Sequence, residues 1–162
     1  MLKLSKLTDY AVVVLVRLAQ TDRPGDTAGG VQTSPGIAAA TGIPEPTVAK
    51  VLKILAGSDL VASQRGARGG YRLLRPLTAI PIADVIAAID GPIALTACVD
   101  GSAGGCESER LCPVRGRWDP VNTAIQTALG AITLADMQEA AIPRAFRVPA
   151  PPPGRRTLAA AE

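Results

Sequence analysis

The chain has 162 residues, a formal net charge of +3, no histidine, three cysteines and only four aromatic side chains. That length holds one domain, or one domain with an appendage. The lack of histidine excludes Ser-His-Asp and Cys-His catalytic arrangements, no apolar run is long enough to cross a bilayer, and the start MLKLSKLTDY lacks the apolar stretch of a secretory signal, so a non-enzymatic cytoplasmic protein is expected.

Residues 4–20 predict a first helix, because Leu7, Ala11, Val14 and Leu18 recur at steps of three and four. The stretch 22–31, DRPGDTAGGV, is a loop by its Gly and Pro content. Residues 33–41 predict a short helix capped by Thr33 or Ser34, with Pro35 in its first turn and Gly42 ending it. A third helix follows over about 46–57, with Val48, Val51, Leu52 and Leu55 as its apolar stripe and Lys50 and Lys53 off that stripe. Two short helices joined by a tight turn form the pattern of a helix-turn-helix, whose second helix enters the DNA major groove.

Next, Leu60–Ser63 and Tyr71–Leu74 predict a two-stranded hairpin with the basic, glycine-rich tip QRGARGG. Helix, turn, helix and basic hairpin in this order predict a winged helix-turn-helix. Thr47 and Lys50 are the expected contacts from the third helix. Arg65, Arg68 and Tyr71 are expected from the wing, where the arginines can reach phosphates or a narrow minor groove. The charge distribution agrees: residues 1–80 carry ten Lys or Arg against five Asp or Glu, and residues 81–162 carry seven against nine. A basic half suits a polyanionic partner.

Residues 81–90 predict a fourth helix, and 119–131 a longer one, capped by Asp119, with Val121, Ala124, Ile125, Ala128 and Leu129 as its stripe. An amphipathic helix added to a small winged domain needs a partner surface, and a second copy of the chain is the expected partner. ITLADM, 132–137, reads as a strand-like link and a capped helical turn starting at Thr133. From residue 143 the chain is Pro- and Ala-rich, a composition typical of disorder. The expected fold is mainly α with a small β-hairpin. Residues 1–80 form the DNA-binding domain, 81–142 a cluster-binding loop and dimerisation helices, and 143–162 a tail.

Cys98, Cys106 and Cys112 lie in one glycine-rich loop, spaced C-x7-C-x5-C. Thiolates are soft ligands that favour iron–sulfur clusters, zinc or copper(I). Structural zinc usually has a close C-x2-C pair and four protein ligands, and this loop has neither. Wide spacing suits wrapping around a larger object such as a cluster. A thiol redox switch or a zinc-stabilised regulator stands as the alternative, and a dimeric scaffold that binds no DNA as a further one.

LSKLTDYAV at 4–12, GIPEPTVAKVLKIL at 42–55, LVASQRGARGGYRL at 60–73, the cysteine loop ending CPVRGRW at 112–118, and ITLADM closely resemble the IscR/NsrR-type iron–sulfur winged-helix regulators of bacteria. Within that family the chain looks most like the regulators of the SUF iron–sulfur assembly operon. The resemblance implies a homodimer on a palindromic operator in double-stranded DNA, with Cys98, Cys106 and Cys112 holding an iron–sulfur cluster. One branch adds a histidine three residues after the last cysteine, and here that position is Arg115. Another branch adds an aspartate from helix 1 of the other subunit to complete a 4Fe–4S site. Asp9 stands at the matching place, which favours 4Fe–4S over 2Fe–2S. The competing reading makes Asp9 a local cap or salt-bridge partner.

Overall fold

In the computed structural model of the chain, residues 3–20, 30–66, 69–96, 99, 111–114 and 116–139 are described. Arg68, Cys98, Cys106, Arg115 and the 143–162 tail lie outside the described residues.

Helix α1 spans Lys6–Ala19. Ser5 caps it, its Oγ accepting from the Thr8 amide at 3.2 Å, which satisfies one of the amides a helix start leaves without a partner. Thr8, Ala11, Val14, Leu15 and Leu18 are its buried face. Helix α2, Ser34–Thr41, is capped by Thr33 as expected, with the Gly36 amide donating to Thr33 Oγ1 at 3.2 Å. It stops at Gly42, whose φ of +72° is left-handed and therefore suits glycine. Helix α3, Glu45–Gly57, buries Val48, Val51, Leu52 and Leu55 against α1 and α2.

Strands β1, Val61–Gln64, and β2, Gly70–Leu73, pair antiparallel in the register Val61↔Leu73, Ala62↔Arg72, Ser63↔Tyr71 and Gln64↔Gly70. The wing also has a contact that the hydrophobic pattern does not announce. Gln32 forms a bridge with Tyr71, exchanging backbone hydrogen bonds at 2.9 and 2.8 Å. Its side-chain amide donates to the Arg17 and Gln20 carbonyls, each at 3.0 Å, closing the C-terminus of α1. The seam is tight: a Cβ on Gly70 would sit 2.5 Å from the Gln32 carbonyl oxygen.

A 3-10 turn at Leu77–Ala79 leads to α4, Ile82–Asp90. Helix α5 covers Asp119–Gly130 and α6 covers Leu134–Glu139. Thr133 caps α6 reciprocally with Asp136: the Asp136 amide donates to Thr133 Oγ1 at 3.2 Å, and the Thr133 amide and hydroxyl donate to Asp136 Oδ2 at 2.8 and 2.7 Å. The Thr133 amide and then its hydroxyl hold the Asp136 carboxyl below the usual value, against a small opposing effect of burial. Around Pro81 and Thr133, the Ile82 amide donates to Ile132 and the Leu134 amide to Ile80, at 2.8 and 2.9 Å, so the chain returns to the winged head.

One aliphatic core runs through α1, α2, α3, the wing, α4 and the first residue of α6. It is continuous across residue 80, with Val85, Ile86 and Leu134 in the same cluster as Leu15 and Leu52. One expectation for α5 is corrected. Asp119 lies inside the first turn, and Trp118 at the cap position makes no side-chain capping bond, so Asp119 does not cap. Of the apolar stripe, Ile125 and Leu129 are half-buried, while Val121, Ala124 and Ala128 face solvent.

Candidate nucleic-acid interface and cysteine site

The helix-turn-helix exposes the side of α3 opposite its buried stripe. Thr47 is half-buried there, and Lys50 and Lys53 are exposed, so the three follow one another at three-residue steps along one side. On the wing, Ser63, Gln64 and Arg65 are exposed. Gly66 has φ of +112° and accepts from the Gly69 amide at 2.8 Å, which tightens the tip. Tyr71 is half-buried with its ring against the core, and both its backbone groups are taken by Gln32. Arg72, one residue on, alternates to the other face of the hairpin and is exposed. Sequence reasoning passed over Arg72 because it lies in a strand rather than at the tip. Lys50, Lys53, Arg65 and Arg72 form no ion pair among the described residues, so their charge is available to an anion.

The second region gathers around the ends of the cysteine loop. Cys112 is a free, half-buried thiol next to Leu111, which is 92% exposed. Seven residues later α5 begins. Asp9 is exposed in the first turn of α1 and makes no side-chain hydrogen bond or ion pair among the described residues. The capping role considered for it belongs to Ser5. Asp9 borders a cleft of about 430 Å³ shared with Leu4, Val12, Ile82 and Met137, whose lining among the described residues includes no cysteine. Among the described residues no three cysteine or carboxylate groups come together around one point.

Two polar residues that the sequence reading did not single out organise this region. Asp90, at the C-terminus of α4, accepts from the Thr8 hydroxyl at 2.7 Å and the Ser5 amide at 3.2 Å. Burial opposes the Asp90 charge, but the bonds from Ser5 and Thr8 prevail and hold its carboxyl below the ordinary value. Asn122 is the one buried residue of α5, at 5% exposure. Its Nδ2 donates to the Ile93 carbonyl and its Oδ1 accepts from the Leu95 amide, both at 3.0 Å. Gln126, one turn on, also donates to Ile93 at 3.0 Å. The signal in the sequence was an Asn–Gln pair four residues apart beside an apolar stripe.

An exposed lysine-bearing helix beside a basic hairpin, on an aliphatic helical core, defines a winged helix-turn-helix of the DNA-binding class. Comparison with known proteins places it further. Residues 4–140 match the family Rrf2, described as iron-dependent transcriptional regulator, and the chain belongs to that family. A Mycobacterium tuberculosis (strain CDC 1551 / Oshkosh) protein, by name an HTH-type transcriptional regulator, is 34% identical over 142 residues, covering 88% of this chain and 84% of that protein. The transcriptional regulator IscR of Cereibacter sphaeroides is 27% identical over 154 residues, covering 91% of this chain and 97% of its own. Among solved structures, CymR, the global cysteine regulator of B. subtilis, superposes with a TM-score of 0.60 at 28% identity, over 85% of this chain and 96% of that one. The IscR of T. potens superposes with a TM-score of 0.58 at 29% identity, over 85% and 86%. The relatives are named as transcriptional regulators, not enzymes. No helix among the described residues is long and apolar enough to cross a membrane.

Proposed function

We propose that this chain is a cytoplasmic, homodimeric transcriptional regulator whose affinity for a palindromic operator is set by an iron–sulfur cluster, and that it controls iron–sulfur assembly genes of the SUF type. Thr47 and Lys50 read the major groove. Arg65 and Arg68 engage backbone or minor groove, and Tyr71, half-buried on the same hairpin, is the remaining wing contact. Cys98, Cys106 and Cys112 are the thiolate ligands, and Asp9 of the partner subunit is the fourth. The observation that carries the ligand assignment is Asp9 itself: an exposed carboxylate in the first turn of α1 with no partner among the described residues. A half-buried Cys112 thiol beside the start of α5 fits the same donor set. The identity to IscR regulators supports the cluster reading.

When bound, the cluster supplies a redox-sensitive link among three thiolates and a carboxylate. The chain's own residues convert that link into spacing. Cys112 fixes the approach to α5, and Asp9 fixes α1. Each α3 must meet a half-site about 34–36 Å from the other, so a small change between subunits alters affinity without moving a DNA-reading side chain.

The test is an iron and acid-labile sulfide count on protein purified without oxygen, with operator binding measured beside it. About four of each per chain is expected, falling in D9A. Absence of both after reconstitution sinks the cluster reading and leaves the DNA-binding one intact. Arg68→Ala is expected to weaken operator binding and to make its salt dependence shallower by about one unit of slope. A second reading, thiol-based sensing without a cluster, is favoured by one observation: the likeness to a structure named as a global cysteine regulator.

A further inference from the structure

The segment Asp90–Leu95 is held at both ends by side chains. At one end Asp90 Oδ2 takes the Thr8 hydroxyl, from a residue only 1% exposed, and the Ser5 amide. At the other end Asn122 satisfies the Ile93 carbonyl and the Leu95 amide together, and Gln126 adds a second bond to Ile93. A cleft of about 540 Å³ borders the segment, lined also by Leu4, Ile86, Ile125 and Leu129, and Ile93 packs against the core, so hydrogen bonds and one apolar contact together hold this stretch of backbone.

The chemistry at Asn122 is restrictive. A carboxamide presents a donor and an acceptor side by side, matching one carbonyl and one amide two residues apart. Aspartate lacks the donor, and leucine lacks both. That the only buried residue of α5 is polar is itself informative, because a helix face seldom buries an amide without a specific partner.

Both ends of the cysteine loop leave this frame. Leu95 precedes Cys98 by three residues, and Cys112 precedes α5 by seven. Asp90 reaches the turn of α1 that carries Asp9. We infer that Asn122 and Asp90 are positioning residues for the three-cysteine site: they fix Asp90–Leu95 as a strut between α5 and α1. The inference rests on reading Cys98, Cys106 and Cys112 as the cluster site.

The test uses full-length protein prepared without oxygen, wild type and the variants Asn122→Asp and Gln126→Ala. Iron release to a chelator is followed, with the thermal midpoint and the DNA affinity of the cluster-free form measured beside it. N122D is expected to release iron about tenfold faster, the size seen when partners that orient metal ligands are lost. Its cluster-free DNA affinity is expected to stay within about twofold, which a merely unfolding variant would not do. Wild-type release rates in N122D overturn the inference. If N122D does not fold, Q126A decides, since it removes one exposed bond: faster release supports the strut and an unchanged rate overturns it. If wild-type protein takes up no iron, the cluster reading has failed separately. Iodoacetamide labelling of Cys98 then judges the strut: faster labelling in Q126A supports it, and equal labelling overturns it.

Discussion

Helices α1 and α5 have similar lengths, 14 and 12 residues, and opposite relations to the core. Helix α1 buries five residues and packs against α2, α3, α4 and α6. Helix α5 leans chiefly on α4 and buries only Asn122. Both carry apolar residues at helical spacing, so periodicity alone does not separate a helix that completes a core from one that presents an apolar side outward. The winged head shares one core with α4 and the start of α6. Helix α5 exposes Trp118 just before its start and Val121, Ala124 and Ala128 along its length, a surface suited to a second copy.

The contrast can be broken most strongly from the α1 side. Leu52 is fully buried between α3 and α1, and Leu52→Ala should cost about 2–5 kcal/mol in denaturant unfolding. On α5, Ala128→Glu should leave unfolding of the separated chain within about 0.5 kcal/mol. It should weaken self-association about tenfold or more by sedimentation, through a charge placed in an apolar contact. An unchanged sedimentation profile would mean that this face does not meet another copy. Thr33→Ala removes the α2 cap and should cost about 1 kcal/mol, read as a lowered thermal midpoint.

The smallest effect is in the pH dependence. Asp90 and Asp136 have folded-state values below the ordinary 3.8, so the folded chain binds fewer protons than the unfolded one in that range. Their contribution is fully present above 3.8 and is lost as pH falls through the lowered values. Asp90→Asn should therefore flatten the acid side of the stability curve, measured by thermal midpoint between neutral and acidic buffers.

Much of the fold was legible in the sequence. Thr33, Pro35 and Gly42 mark α2 by local chemistry, and the hairpin register follows from the apolar alternation around Val61 and Leu73. Thr133 was readable as a cap because its partner Asp136 lies three residues on. What escaped were polar contacts between residues far apart in the chain: Gln32 with the end of α1, Asp90 with Thr8, and Asn122 with Ile93 and Leu95. Each is a single side chain meeting backbone or hydroxyl groups that only the folded chain brings near, and no spacing rule encodes that. The candidate site divides the same way. Lys50 and Arg65 were readable from their places on α3 and the tip, whereas Tyr71 packs inward and Arg72 takes the outer face.

The seam between Gly70 and Gln32 has a genetic consequence. Any replacement of Gly70 adds a Cβ, and that atom would press on the Gln32 carbonyl and the Val31 side chain. A glycine codon tolerates change only at its third base, so every coding alteration at this position would move the wing off the end of α1. At this hinge between the wing and the first helix the genetic text has a single permitted letter.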